Sequence, residues 1–595
     1  MSIVAMKKVT LFGSLADKKI HLDAMQDFGF LHVIPLSMDS SEQAQPGGLS
    51  TKSRHVLKFL TDFEPRHHQV HDTRHFDAKQ IENRCMMLID ALHQSNDQRD
   101  YLKKHIEDLT PWGTFDFPQQ QQLAGFHLWF YTVPHYLIHK LSELPIIWQT
   151  VFQDNQFTYV VVIAEHEPPH MPVSRVHTGH LSLQELETQL ESVESHIDDL
   201  LAERFSLTRW IDLFSEQLQA LENQTALDIA LEQTFDHRAL FALQAWLPHH
   251  GVEQLQSYCQ QQSLVLQISD PQENETPPTL LSNSTLMSSG EQLTKFYLTP
   301  SYFAWDPSAV LLFSFAVFFA IIISDAGYAL VGFALILAFW HRLGLSEQRL
   351  RIRRLLCVIF TAALIWGVLV GSYFGLRPGK ETGLALLHVV DINNQSLMMQ
   401  ISILLGVLHI IVANAIRAWN YRKQRQGIAA LGWVSLVSGG ALLWYVGTDA
   451  DGWMMLASSL MVLGAGSVLL FTSKHHRHGW HRLMDGFLAL TRISNAFGDV
   501  LSYLRLFALG IASASLAFAF NDLAAKIIVA APGFGILAAL IVLIVGHGLN
   551  LTLALVSGFV HGLRLNYIEF FNWCLDEEGY AFDAFCKKEK TPWNR

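Results

Sequence analysis

Polar and apolar positions follow one rhythm in the first half of the chain and another in the second. Between residues 181 and 224 apolar side chains recur at alternating steps of three and four: Leu183, Leu186, Leu190, Val193, Ile197, Leu200, then Arg204, then Leu207, Ile211, Phe214, Leu218 and Leu221. A repeat this long predicts a coiled-coil helix whose seam changes character only at Arg204. An earlier stretch, Ile81, Cys85, Leu88, Leu92, Ser95, Arg99, Leu102, Ile106 and Leu109, has the same spacing and turns polar in its middle. Between the two lies a mixed segment, 112–180, with apolar strand patterns at Phe126–Val133 and Tyr159–Ala164. The patch Arg238–Leu247 with Leu264–Ile268 resembles Val4–Phe12 with Phe30–Leu36. The simplest assembly is an antiparallel two-helix stalk with an α/β lobe at each end. One lobe is residues 112–180, the other 1–77 with 225–270. Such a dumbbell is a spacer holding two attachment points apart.

From Ser308 onward the rhythm disappears into apolar runs at about 308–340, 354–374, 396–416, 427–447, 453–471, 484–529 and 535–571. A membrane span needs roughly 20 apolar residues. The first run is too long for one span and is interrupted by Ser324-Asp325-Ala326-Gly327-Tyr328. Basic clusters follow it at Arg342–Arg354, at Arg417–Arg425 and at Lys474–Arg482, whereas loops 375–395, 448–452 and 530–534 are poor in Lys and Arg. Placing every basic cluster in the cytoplasm, with the polar half beside them, requires the first run to cross twice. The expected fold is therefore mostly α: a cytoplasmic dumbbell over 1–300, then an eight-helix transmembrane domain over 301–595 with both termini inside. The last two runs exceed a bilayer's needs and are expected to form long tilted helices.

Composition narrows the function. The net charge of -12 leaves no basic footprint for nucleic acid. Five cysteines without a CxxC pair suggest neither a zinc site nor a disulfide framework. The opening Met1–Lys8 lacks the apolar core of a signal peptide. HExxH, GxSxG and P-loop patterns are missing, and Gly379-Lys380 is followed by Glu381. No cofactor or metal is expected. His475, His476, His478 and His481 fall in a basic loop beside the membrane and are read as solvated or lipid-facing.

The chemistry lies in the last two runs. Arg505 sits in Asp499–Gly510 and Arg564 in Val560–Glu569. A guanidinium stays charged at physiological pH and costs roughly 3 kcal/mol at a bilayer centre, so each marks a candidate functional site. His547, Asn550, Ala554, Ser557, His561 and Arg564 step by 3, 4, 3, 4, 3, which is one helix face, polar at five of six positions. Arg492, Asn495, Asp499, Ser502 and Arg505 form a second stripe, followed by small residues Ala508, Gly510, Ala512, Ser513, Ala514 and Ser515. Small residues let another helix approach closely. Plainer readings stand beside these. A polar stripe can be helix–helix glue, Arg564 can form a static pair with Glu569 or Asp499, and Asp325 can be a helix cap.

Ser502-Tyr503-Leu504-Arg505-Leu506-Phe507-Ala508-Leu509 is similar to the SYLRL-aromatic-AL core of the membrane stator subunit of rotary V-type ATPases, subunit a, called subunit I in prokaryotes. His561-Gly562-Leu563-Arg564-Leu565-Asn566-Tyr567-Ile568-Glu569-Phe570-Phe571 resembles that family's second arginine motif. Asp306-Pro307-Ser308, Ser324–Tyr328 and Glu273-Asn274 with Pro277-Pro278-Thr279 resemble its DPT, GDxGYG and EN-x-PPT signatures. Ser324 stands where the family usually has Gly. Ser513 and Ala554 stand where eukaryotic members often have His and Glu, which points to a prokaryotic member in the plasma (inner) membrane.

The resemblance implies a non-catalytic subunit of an ion-translocating ATPase, with nucleotide chemistry in its partners. Those partners would be a rotor ring of proteolipid c/K subunits, peripheral-stalk E/G-type subunits, a central-stalk cap subunit d/C, and membrane lipid. A ring carboxylate facing lipid must be neutral, and a fixed guanidinium beside it favours release of its proton. Arg505 and Arg564 are then the translocation residues, and Asn495, Asp499, Ser502, His547, Asn550, Ser557, His561 and Glu569 line two offset half-channels. The rival class, a secondary ion-coupled transporter with a cytoplasmic regulatory domain, predicts an inverted repeat, and no convincing one is visible.

Overall fold

The computed structural model describes residues 2–36, 48–113, 125–142, 144–169, 171–176, 182–272, 274–379, 381, 383–392, 394–446, 451–473, 479–531, 533–575 and 578–588. Glu273, His475, His476 and His478 lie outside these, as do parts of the 112–180 segment. The chain is mostly helical and its internal contacts divide it into two units. One comprises Met1–Leu36 with Thr234–Phe585, the other Ser37–Gln233 with Cys586–Asn594.

The strands, in chain order, are β1 (Met6–Ser14), β2 (His32–Ile34), β3 (His127–Pro134), β4 (Ile147–Gln153), β5 (Phe157–Ala164), β6 (Phe235–His237), β7 (Leu240–Pro248) and β8 (Val265–Ser269). In the first unit they form an antiparallel sheet in the order β2-β7-β1-β8, with β6 also on β7. The two patches that look alike in sequence are both strand–helix–strand pieces, and their strands interleave. Val9, Leu11, Leu243 and Ala245 of the sheet are fully buried, as are Leu22 and Met25 of the helix Lys18–Phe28. The segment after the last membrane helix closes this lobe. Glu578–Gly579 pairs with Thr299–Pro300, the Thr279 N–H donates to the Tyr580 carbonyl while the Thr279 carbonyl accepts from the Phe582 N–H, and the Phe585 N–H donates to the Leu31 carbonyl at 2.7 Å.

In the second unit β3-β5-β4 form a separate sheet. Helix α1 (Ala78–Leu109) packs on α2 (Leu183–Leu207). Arg84 pairs with Glu203 and Lys103 with Glu194, so the two helices run antiparallel. Ser182 and Glu185 make a reciprocal capping box at the start of α2. The seam runs on toward α3 (Ile211–Glu232) but is interrupted by a tight turn at Thr208–Trp210. There the Thr208 hydroxyl donates to Phe205 O at 2.6 Å and accepts from His67 N at 2.9 Å, drawing off the regular helix bonding. Arg204, the polar step in the seam, lies over the Phe59 and Phe63 rings at 3.9 and 4.7 Å. A guanidinium stacks on aromatic faces without losing its charge, which suits this half-buried position.

The apolar runs become helices α4 (Ser308–Ile323), α5 (Ala326–Ala338), α6 (Glu347–Val370), α7 (Gln395–Asn420), α8 (Arg425–Val446), α9 (Asp451–Phe471), α10 (Gly479–Leu490), α11 (Ile493–Ser502), α12 (Leu504–Ala530) and α13 (Phe534–Arg564). Among the described residues, six segments are long and apolar enough to cross a membrane, and α4 and α5 are two shorter apolar helices. The run expected as one long helix over 484–529 is in three pieces. At Arg492 and Tyr503 the amides bond the carbonyls three residues back, Ala489 and Val500, tightening the turn. Buried along most of its length, α4 packs against α6, α12 and α13. Close approach is made by glycines: a Cβ on Gly510 would lie 2.6 Å from the Ile321 carbonyl oxygen, and one on Gly558 2.7 Å from the Phe319 ring.

Candidate functional site

Two polar groups lie along α12 and α13. The first forms around the arginines. Arg505 opens α12, two residues after the break at Tyr503; it is half-buried, and its Nη1 is buried without a hydrogen bond. After Arg564 the chain leaves α-helical bonding for a π-helical turn, Leu565–Phe570. Such turns recur at functional sites because the extra residue re-aims a side chain. Here the turn carries Glu569, 2 % exposed, whose Oε2 has no hydrogen-bond partner. Arg505 and Arg564 are its charged neighbours, and the Ser502 hydroxyl lies beside it. His561 lies near both arginines, with Nδ1 buried and unbonded. Asp499 accepts the Trp573 indole N–H at 2.7 Å, and Arg492 lies 5.1 Å over the same indole. Asn495 and Arg564 are exposed, so Arg564 does not form the buried static pair that the sequence leaves open.

The second group is a hydrogen-bonded chain centred on Tyr328. Asn550, 2 % exposed, donates to the Tyr328 oxygen at 2.9 Å and to the Ser513 carbonyl at 2.8 Å. Tyr328 therefore gives its own proton to His547 Nδ1, 2.8 Å away. That assigns the ring proton to Nε2, which donates to Asn521 Oδ1 at 3.1 Å. Asn521 passes the direction on by donating to the Phe374 carbonyl at 2.7 Å. The chain ends at a cavity of about 510 Å³ lined by Ser372, Arg377, Ile511, Ser515, Phe518 and Asn521. Asp325 anchors the cavity wall. Its carboxylate caps Tyr328 N at 3.1 Å and accepts from Ser372 Oγ and the Phe374 and Gly375 amides at 2.6–2.9 Å. It is a cap and a staple. Ser324 takes a left-handed conformation at φ 48°, which accounts for a glycine preference there.

Asn550 and His561, one in each group, are about 16 Å apart along α13, at 1.5 Å per residue. Between them Ala554 is buried and Ser557 half-buried. The small residues of α12 divide: Gly510 and Ser513 are buried, whereas Ala508, Ala512 and Ser515 are exposed on the face that continues from Arg505. Four contributors did not stand out in the sequence. Tyr328 was only part of a motif, and Asn521 sat at the end of an apolar run. The π-helical turn has no compositional mark. His409, 7 % exposed and bonded to Tyr503, was a lone histidine in α7, which is itself a signal in a membrane segment. Among the described residues, no three His, Cys, Asp or Glu side chains converge as metal ligands.

No protein-family profile matches the chain. It is 27% identical to the A-type ATP synthase subunit I of Methanocaldococcus jannaschii over 490 residues, 75% of this chain and 69% of that one. It is 23% identical to the V-type ATP synthase subunit I of Borreliella burgdorferi over 626 residues, 99% of this chain and 100% of that one. The chain is a homologue of ATP synthase subunit I. The Chlamydia pneumoniae V-type subunit I is also similar, 24% over 563 residues covering 80% of this chain. The Borreliella burgdorferi similarity takes in 99% of the chain, so both motif-bearing helices and the two polar groups lie within it.

Proposed function

We propose that this chain is the membrane stator subunit of a rotary V-type ATPase or ATP synthase, coupling ion flow to rotation of a ring that carries membrane-buried carboxylates. The observation that carries the reading is Arg505: a half-buried guanidinium with an unbonded Nη1, at the head of a helix whose exposed face continues as Ala508, Ala512 and Ser515. A small-residue face admits a rotor helix, and the guanidinium supplies the fixed charge against which a ring carboxylate releases its ion. The group around His547, Asn550 and the cavity forms one half-channel. Asn495, Asp499, Ser502, Ser557, His561 and Glu569 serve the other, on the side of the basic loops. The chain crosses eight times, with α4 and α5 as a hairpin, both termini cytoplasmic, in the cell's inner membrane. Residues 1–270 act as the cytoplasmic dumbbell that holds the peripheral-stalk subunits, while a central-stalk cap subunit joins ring to catalytic head. Domain division at about residue 300 follows from this reading.

The test is Arg505→Gln in the assembled complex in vesicles. ATP-driven ion uptake is expected to vanish while the complex still assembles; uptake at the wild-type rate would reduce Arg505 to a structural residue.

A further inference from the structure

We propose that His409 is a positioning residue for the arginine cluster, acting at once on the helix break that presents Arg505 and on the π-helical turn that presents Glu569. The inference rests on reading that cluster as the translocation site. His409 lies inside α7, on neither arginine-bearing helix, and is 7 % exposed. Its Nδ1 is 2.7 Å from the Tyr503 hydroxyl, and Tyr503 is completely buried. Its ring lies parallel to Phe570 with centroids 4.2 Å apart and planes 7° apart. Phe318 of α4 meets both rings edge-on, at 5.2 Å from His409 and 5.6 Å from Tyr503. Gly406, one turn before His409, leaves room for the tyrosine: a Cβ there would lie 2.7 Å from Tyr503 Cδ2.

Packing alone does not account for this histidine. Its Nε2 is buried without a hydrogen bond. A phenylalanine would make the same stack without burying an unsatisfied nitrogen, and such atoms are costly enough to be rare. What histidine adds is the bond to Tyr503. Tyr503 is the junction of α11 and α12, and the turn there is tightened by the Tyr503 N–H to Val500 O bond at 3.2 Å and the Leu506 N–H to Tyr503 O bond at 2.9 Å. Arg505 is two residues on, about 3 Å along the axis. Phe570 is the residue after Glu569, at the end of the π-helical turn. Tyr503 also lies within electrostatic reach of Glu569 and Asp499. One imidazole thus bonds the element that sets the cation and stacks on the element that sets the anion. Misplacement by about 1 Å can cost about a hundredfold where charges must meet in register.

The experiment measures ATP-driven ion uptake per assembled complex in vesicles for His409→Phe, His409→Asn, Tyr503→Phe, the double variant His409→Phe/Tyr503→Phe, and Arg505→Gln alongside. His409→Phe keeps the stack and removes the bond, and is expected to lower uptake about tenfold, the scale of one hydrogen bond. His409→Asn, whose amide reaches the place of Nδ1, is expected to restore at least half. Tyr503→Phe should match His409→Phe, and the double variant should be no worse than either single one, because both remove the same interaction. Wild-type uptake by His409→Phe overturns the proposal, as does His409→Asn failing equally, or the two single losses multiplying. If His409→Phe does not assemble, Tyr503→Phe reads the same bond from its other end, and a wild-type rate there overturns the proposal. Arg505→Gln separates the two levels. If it abolishes uptake and His409→Phe does not impair it, only the positioning role fails; if Arg505→Gln transports normally, the reading of the whole site fails.

Discussion

Arg505 and Arg564 carry the same charge in neighbouring helices, yet their surroundings differ. Arg505 is half-buried at a helix junction with an unbonded nitrogen, whereas Arg564 is exposed at the end of α13. Removing a partly buried charge from a cluster built around it costs more than removing one exposed at the cluster's edge. Arg564→Gln is therefore expected to leave partial ATP-driven uptake, within about tenfold of wild type, the scale of one ordinary hydrogen bond. Arg505→Lys should fail as Arg505→Gln does. A lysine presents a point charge on a flexible stem, lacks the planar fork, and can lose its proton when buried. Uptake assays on vesicles of matched complex content compare the three; an Arg564→Gln complex as dead as Arg505→Gln would equalise the two arginines. At this scale much was legible in the sequence, because an intramembrane arginine is costly wherever it points. The side chains that complete each group were less so. Tyr328 and His409 matter through partners 219 and 94 residues away, His547 and Tyr503, and no local pattern encodes such a meeting.

Between elements, glycine sets the distances. Gly510 faces the Ile321 carbonyl, and Gly558 and Gly562 face the Phe319 and Phe315 rings, so α4 lies close against both α12 and α13. Gly510→Val would force the two Arg505-side helices apart, since the clash is with backbone that cannot rotate away. Overpacking of this kind costs about 1–3 kcal/mol. The variant should show a lower unfolding temperature by thermal denaturation in detergent and reduced yield of the assembled complex; unchanged stability would mean that α4 yields more easily than this packing implies. Element type was readable from the pattern: the heptad seam became α2 and α3, the earlier stretch of the same spacing became α1, and the apolar runs became helices. Their interruptions were not. The turn at Thr208–Trp210 comes from a hydroxyl bonded across to His67, and the break at Tyr503 coincides with a bond to another helix. The π-helical turn at Leu565–Phe570 leaves the apolar pattern unbroken while shifting its phase. Periodicity reports which face is apolar and is blind to a tertiary partner that bends the helix carrying it.

For the whole molecule the first expectation concerns sidedness. Leu386, 87 % exposed in the Lys- and Arg-poor loop, and Arg422, in a basic one, should report opposite faces of the membrane. Single cysteines at the two positions in a cysteine-free background are expected to label from opposite sides with an impermeant maleimide; labelling from one side would overturn the eight-span arrangement. A second expectation concerns acid. Glu222 is held below the usual carboxylate range: burial pushes it up, but hydrogen bonds and charge from Lys588 and Arg54 outweigh that. A carboxyl depressed in the folded state adds stability above its unfolded value near 4.5 and loses it as pH falls through the lower folded value. Thermal stability should therefore drop as pH falls from about 5 to 3, less steeply in Lys588→Ala; an equal slope would remove Glu222 from the acid response. The closing of the first lobe has a further consequence, in time. Its sheet joins residues 6–14 to 240–248, and its outer seal comes from residues 578–585, which follow every membrane helix. Residues 578–585 are therefore made only after the helices that precede them, and the lobe holding residues 6–14 cannot be completed until then. Contacts this distant in sequence form slowly. The opening strand can pair with β7 and β8 before the first membrane helix is made, while Leu31, Thr279 and Thr299–Pro300 must wait for their partners until membrane insertion is all but over.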